Sequence, residues 1–210
     1  MIDISKRSYS GAILKFALFL TLARVALLPV FLVVYLFYPQ MGLSLVAMPY
    51  VLLGILLLCE LSDIFDGVVA RRSKQVTNLG KVLDPMADSI VRLSILLTFT
   101  QGIVKLPLLL VLIFVFRDAV ISTLRTLCAL SGTALAARWS GKVKAVLQAV
   151  AIFMILILMI PYSMGLIDLE ALRNASFYVV LLTALYTLFS GIEYIYVHRS
   201  AIRIAFVSQP

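Results

Sequence analysis

The chain has 210 residues, of which 63% are hydrophobic and 13% charged, and its formal net charge is +8. A mean hydropathy of +1.10 is far above that of a soluble domain, so composition excludes a soluble enzyme and points to an integral membrane protein. The basic excess sits at the ends of apolar runs instead of forming one patch, which excludes nucleic acid as the partner.

In chain order, Lys6 and Arg7 precede an apolar run that superficially suggests a signal peptide. The run is too long, carries Arg24 and lacks a small-residue cleavage site, so it is expected to remain as a first helix. Runs long enough to span hydrocarbon recur at roughly 13–38, 44–70, 82–102, 106–131, 143–163 and 175–197. They predict an all-α integral membrane protein with six transmembrane helices, forming a single domain over residues 1–210. Lys6, Arg7 and Lys15 precede the first run, and Arg71, Arg72, Lys74 and Lys81 lie between the second and third. Arg138, Lys142 and Lys144 lie between the fourth and fifth, and Arg199 and Arg203 follow the sixth, while the opposite connections hold Lys105 and Arg173. By the positive-inside rule both termini and the basic connections are cytoplasmic. Cys59 and Cys128 fall inside apolar runs and read as small buried hydrophobes.

One segment breaks the apolar pattern. It reads Asp63-Ile-Phe-Asp66-Gly67-Val-Val-Ala70-Arg71, then, after eight residues, Gly80-Lys-Val-Leu-Asp84-Pro-Met-Ala-Asp88. Asp63, Asp66, Gly67 and Ala70 have helical spacing and share a face, as do Gly80, Asp84 and Asp88. An antiparallel pair of helices would bring the two acidic faces together, and four carboxylates so close require a cation. All-oxygen donors favour a hard ion, Mg²⁺ or Mn²⁺, over zinc. Gly67 and Gly80 remove side chains where a large ligand must approach, and Arg71 offers a planar fork for phosphate oxygens. Hard metal, carboxylates and arginine together suit phosphoryl transfer with a two-metal clamp.

The segment resembles Asp-x2-Asp-Gly-x2-Ala-Arg-x8-Gly-x3-Asp-x3-Asp, the signature of the CDP-alcohol phosphotransferase family, at all eight fixed positions. The resemblance implies that Asp63, Asp66 and Asp84 ligate metal, and that Asp88 ligates a second ion and serves as general base. It implies that Asp66 and Gly67 line the cytidine pocket, Arg71 holds the diphosphate, Thr77 contacts the CDP moiety and Gly80 lets the nucleotide pack close. The implied reaction is attack of an alcohol on the lipid-side phosphorus of a CDP-linked lipid, with loss of CMP. A homodimer is also implied.

Four further blocks resemble the form seen in the family's phosphatidylglycerophosphate synthases, and imply CDP-diacylglycerol and glycerol 3-phosphate as substrates. They are Leu20 to Arg24 with Pro29 to Phe31, Asn78 to Asp88, Arg117 to Arg125, and Gly141 to Gln148. Ala17 and Leu18 stand where such synthases usually carry Pro-Asn, and Ser89 where lysine is common, so serine, inositol and inositol phosphate remain alternative acceptors. Arg117 and Arg125 lie two turns apart on one face, with Lys142 and Lys144 nearby. Intramembrane arginines face a cavity or a partner, and a cationic cavity suits an acceptor bearing phosphate. The alternative is that Arg117 pairs with Glu60, Glu193 or Asp118 and that Arg125 snorkels.

The remaining features read more plainly. Tyr35, Tyr38, Tyr162, Tyr194, Tyr196 and Trp139 sit at span ends as an aromatic belt. Gly165 to Arg173 reads as an external turn, and His198 lies at the membrane edge. An ion-coupled transporter would also hold intramembrane carboxylates, but here they lie at one membrane face and no internal repeat is evident. The natural setting is a bacterial inner membrane with the site facing the cytoplasm.

Overall fold

The computed structural model describes the backbone of residues 23–72, 78–131 and 138–207, and the side chains of 23–62, 86–131 and 138–203. Among the described residues all regular structure is helical. The helices are α1 (Ala23–Phe37), α2 (Ala47–Arg72), α3 (Asn78–Thr98), α4 (Leu108–Leu130), α5 (Trp139–Ser163), α6 (Leu169–Val197) and α7 (Arg199–Val207). The chain divides into two units, Met1–Thr98 and Phe99–Pro210.

In the first unit, α1 ends where Gly42 takes a left-handed φ of 70°. Leu43 N–H then donates to Tyr38 O at 3.0 Å and Gly42 N–H to Pro39 O at 3.1 Å, the paired bonds that satisfy the last carbonyls of a helix. The Ser44 hydroxyl accepts from Ala47 N–H at 3.1 Å and caps the entry to α2. Phe31, Val34, Tyr35, Met48, Leu52, Leu56 and Ala87 are buried. Across this apolar unit α1 is tied to α3 by an ion pair, Arg24 Nη1 to Asp88 Oδ1 at 2.9 Å, with the two side chains 3% and 25% exposed.

In the second unit, α6 packs against both α4 and α5, and α7 packs against α4 and α6. The buried face of α6 runs Ser176, Val180, Thr183, Ala184, Thr187, Ser190, Gly191, Tyr194. These residues are mostly small, which lets neighbouring backbones approach closely. Their hydroxyls bond within the helix: Thr183 to Val179 O at 2.9 Å, Thr187 to Thr183 O at 2.8 Å and Ser190 to Thr187 O at 3.0 Å. The α5–α6 hairpin has explicit stop and start signals. Gly165 at φ 72° ends α5, with Leu166 N–H on Pro161 O at 2.9 Å and Gly165 N–H on Tyr162 O at 3.0 Å. Three residues later Asp168 Oδ1 accepts from Ala171 N–H at 2.6 Å and starts α6.

Polarity is distributed as in a protein dissolved in lipid. Leu109, Phe116, Leu130, Leu182 and Ile192 are exposed while Lys144, Gln148, Thr187 and Ser190 are buried. Helices α5 and α6 are long and apolar enough to cross a membrane, and α1 and the stretch Ala47–Ser62 of α2 are shorter apolar helices. The third, fifth and sixth helices depart from the sequence expectation, the fifth by starting at Trp139 instead of 143. The third starts at Asn78 instead of 82 and ends at Thr98, and α6 starts at Leu169 instead of 175. Both begin with polar turns (Asn78 to Lys81; Glu170 to Asn174) that an apolar-run criterion rejects, although capping and helix propensity accept them. Helix α7 has no counterpart in the predicted spans.

Two of these contacts have measurable consequences for stability. Asp168→Ala removes the cap of α6 and is expected to cost about 1 kcal/mol, read as a lowered unfolding midpoint in detergent. Arg24→Met and Asp88→Asn should each destabilise, with the double variant losing less than their sum by about 1–3 kcal/mol in a double-mutant cycle. Strict additivity would show that the ion pair carries no coupling.

Candidate active site

The signature residues fall on helix as the spacing predicts. Asp63, Asp66, Gly67 and Arg71 lie in the last three turns of α2, and Gly80, Asp84 and Asp88 in the first three turns of α3. Both helices belong to the first unit. Thr77 lies outside the described residues, as do the side chains of Asp63, Asp66, Arg71 and Asp84. Asp88 is described, and Arg24 holds one of its oxygens. Among the described residues no three His, Cys, Asp or Glu side chains converge on a metal position. The donor set of the signature is nonetheless all-carboxylate, which fits Mg²⁺ or Mn²⁺ better than a metal that seeks thiolate or imidazole.

Arg24 is the partner that sequence spacing could not supply, because 64 positions separate it from Asp88. Its signal was an arginine inside an apolar run, which requires an acidic partner or a cavity. A second cation, Arg92, lies one turn beyond Asp88 on α3 and buries its Nε without a protein acceptor.

In the second unit the cations gather where α4, α5 and α6 meet. Arg117 Nη1 donates to Asp118 Oδ1 at 3.1 Å and Nη2 to Ser190 Oγ at 3.2 Å. Lys144, buried on α5, donates to both oxygens of Asp118, at 2.6 and 2.8 Å. Two turns along α4, Arg125 Nε donates to the Tyr194 hydroxyl at 3.1 Å, and its guanidinium lies 5.2 Å from that ring. Arg138 pairs with Glu193 at 2.8 Å. On the same face of α5 as Lys144, Gln148 is 1% exposed and its Nε2 has no protein acceptor.

The pairing therefore takes the course in which Arg117 meets Asp118, while Glu193 belongs to Arg138. Lys142 is not brought to Arg117. It is exposed, with its Nζ 5.3 Å from the Trp139 ring, and Lys144 two residues on turns inward. Tyr194 and Tyr35 are buried and are not belt residues, whereas Trp139 and Tyr196 are exposed as expected. His198 stacks on Tyr194 with ring centroids 4.3 Å apart. On its other side Arg117 borders an apolar groove of ≈ 440 Å³ between α4 and α6, walled by Ile113, Phe116, Val120, Leu188 and Ile192.

An acidic signature on two consecutive helices and a largely buried cationic cluster on three others are the chemistry of a phosphate-transferring membrane enzyme. Residues 14–189 match the CDP-alcohol phosphatidyltransferase family. The chain is similar to the CDP-diacylglycerol–glycerol-3-phosphate 3-phosphatidyltransferase of Bacillus subtilis, 29% identical over 151 residues, which cover 69% of this chain and 78% of that protein. It is similar to the protein of the same name from Pectobacterium atrosepticum, 36% identical over 143 residues, covering 65% of this chain and 74% of that one. The protein of that name from Salmonella typhimurium is 36% identical over 139 residues, covering 63% and 71%. The matched region takes in the whole signature and most of the chain, and so the chain belongs to the CDP-alcohol phosphatidyltransferase family.

Proposed function

We propose that this phosphatidyltransferase moves the phosphatidyl group of CDP-diacylglycerol to glycerol 3-phosphate, giving phosphatidylglycerophosphate and CMP. The observation that carries this reading is the match, over about three quarters of their length, to proteins named for that reaction. The intact signature on α2 and α3 supports the chemistry.

Asp63, Asp66 and Asp84 would hold one divalent ion, Mg²⁺ or Mn²⁺, and Asp88 would share a second. Held by these carboxylates, such ions would neutralise charge on the diphosphate and make CMP a viable leaving group. Asp66 and Gly67 line the cytidine side, Thr77 contacts the CDP moiety, Arg71 holds the diphosphate and Gly80 lets the nucleotide lie against the α3 backbone. The acceptor's hydroxyl oxygen forms a bond to the lipid-side phosphorus as the bond to the CMP oxygen breaks. The hydroxyl proton passes to the Asp88 carboxylate, which needs only to accept it as the new bond forms. Arg24 on Oδ1 fixes the orientation of that carboxylate.

Arg117 and Arg125 receive the acceptor's phosphate, with Lys142 at the exposed entrance to α5. The position of Arg117, only 11% exposed and bordered by apolar side chains, supports this, because an arginine held there keeps its full charge for a dianion. Helices α1 to α6 form six spans of one domain over 1–210. Both termini and the site face the cytoplasm, the setting is a bacterial inner membrane, and the working form is a homodimer. The distribution of Lys and Arg at the helix ends supports this orientation.

Purified protein with CDP-diacylglycerol and Mg²⁺ should release CMP with glycerol 3-phosphate and not with serine, inositol or inositol 1-phosphate. Chelation should abolish release and added Mg²⁺ or Mn²⁺ restore it, while Asp88→Asn should lower kcat by about 10²- to 10⁴-fold. Release with a different acceptor would keep the family chemistry and discard the substrate. Arg117→Ala should raise the KM for glycerol 3-phosphate about 10- to 100-fold, the worth of a charged hydrogen bond, with little change for CDP-diacylglycerol.

A further inference from the structure

We propose that Asp118, Ser190 and Gly191 are positioning residues that set the guanidinium of Arg117 for the acceptor's phosphate. The proposal rests on the reading that Arg117 receives the acceptor.

An arginine side chain is long and rotates freely, so an exposed one binds anions without selecting their geometry. Arg117 is fixed at both ends. Nη1 is held by Asp118 on its own helix and Nη2 by Ser190 on α6, whose hydroxyl is anchored in turn on Thr187 O at 3.0 Å. Two glycines flank the side chain. A Cβ at Gly191 would stand 3.1 Å from Arg117 Cγ, and one at Gly141 would stand 3.8 Å from Nη2. The stem of Arg117 therefore lies against the backbone of α6 because position 191 has no side chain, and Gly141 approaches the guanidinium from α5.

Asp118 does more than neutralise. Its Oδ1 accepts from both Arg117 and Lys144, so one carboxylate oxygen holds two cations side by side. Of these three charged groups two are positive. Arg117 Nε is buried with no protein acceptor, and a buried N–H left without a partner is costly unless a bound group accepts from it. A phosphate monoester supplies both the negative charge and the acceptor that Nε lacks. The groove that Arg117 and Gly191 border between α4 and α6 is otherwise lined by apolar side chains, so it offers the guanidinium no competing partner.

A tie that served packing alone would predict different kinetics. The test measures kcat, both KM values and thermal unfolding for wild type, Arg117→Ala, Asp118→Asn, Ser190→Ala and Gly191→Ala in detergent. Ser190→Ala and Gly191→Ala should each raise the KM for glycerol 3-phosphate about 2- to 10-fold, the span of one neutral hydrogen bond, with kcat and the KM for CDP-diacylglycerol unchanged. In Gly191→Ala the new methyl, 3.1 Å from Arg117 Cγ, has to displace that stem, and the unfolding midpoint read beside the KM separates this displacement from loss of the fold. Asp118→Asn should show the same split more strongly. That variant weakens the hold on two cations at once and so threatens folding itself, which makes the two milder variants decisive. If Arg117→Ala raises that KM while Ser190→Ala and Gly191→Ala do not, or if they shift both KM values equally, the positioning role is overturned and the acceptor reading stands. If wild type does not use glycerol 3-phosphate, or Arg117→Ala leaves its KM unchanged, the acceptor reading fails and the proposal falls with it.

Discussion

Every ion buried among apolar helices has to find its counter-charge inside the protein, because hydrocarbon offers none. Several of the described ions follow that constraint. Arg24 meets Asp88 in the first unit, while Arg117 and Lys144 share Asp118 and Arg138 meets Glu193 in the second. The hydroxyls obey the same rule by bonding to their own helix, as Thr98 does to Ser94 O and Thr187 to Thr183 O. Breaking one partner of such a pair costs more than the pair contributes, since the other charge stays buried and alone. The charges thereby fix which helices can neighbour one another within each unit.

Small residues make those pairings possible. Lys144 can reach Asp118, and Arg117 can reach Ser190, because the shared face of α6 carries Thr, Ala, Ser and Gly where an apolar helix would carry leucine. Leu182, Leu185, Leu188, Ile192 and Ile195 of α6 are exposed instead, while Leu172 near its start is buried. In water that arrangement would expose a large apolar surface. In lipid it costs nothing, and dispersion packing and hydrogen bonds between helices carry the association.

How much of this was legible in the sequence depends on the range of the interaction. Local patterns were legible: the helical register of Asp63, Asp66, Gly67 and of Gly80, Asp84, Asp88 is a matter of spacing, and the structure carries both sets on continuous helix. The turn after α5 was legible at Gly165, but Asp168, read as part of that turn, is the cap that starts α6. Pairings across helices were not. Nothing local assigns Glu193 to Arg138 or Ser190 to Arg117, or distinguishes Lys144 from Lys142 as the inward lysine. Those choices follow from rotations of α5 and α6 that are set by packing. Tyr194 shows the same limit, since its position near a span end matches an interfacial tyrosine while its place on the small-residue face buries it beneath Arg125. The polar first turns of α3 and α6 were lost because hydropathy measures the affinity of a segment for lipid, and helix capping is decided by hydrogen bonds.

The two units carry different sets of functional side chains, and on the proposed reading each set matches its ligand. The first holds the signature aspartates, and its described member, Asp88, is held by Arg24. The signature sets Asp63, Asp66, Asp84 and Asp88 at helical spacing on α2 and α3, and that all-oxygen donor set suits divalent ions. The second holds Arg117, Arg125, Arg138 and Lys144 against Asp118 and Glu193, so its excess is positive and suits a phosphate. A fully neutral interior would have been easier to bury on both sides. The cations left over around Asp118 and Glu193 are better explained as affinity reserved for an anion than as a requirement of the fold.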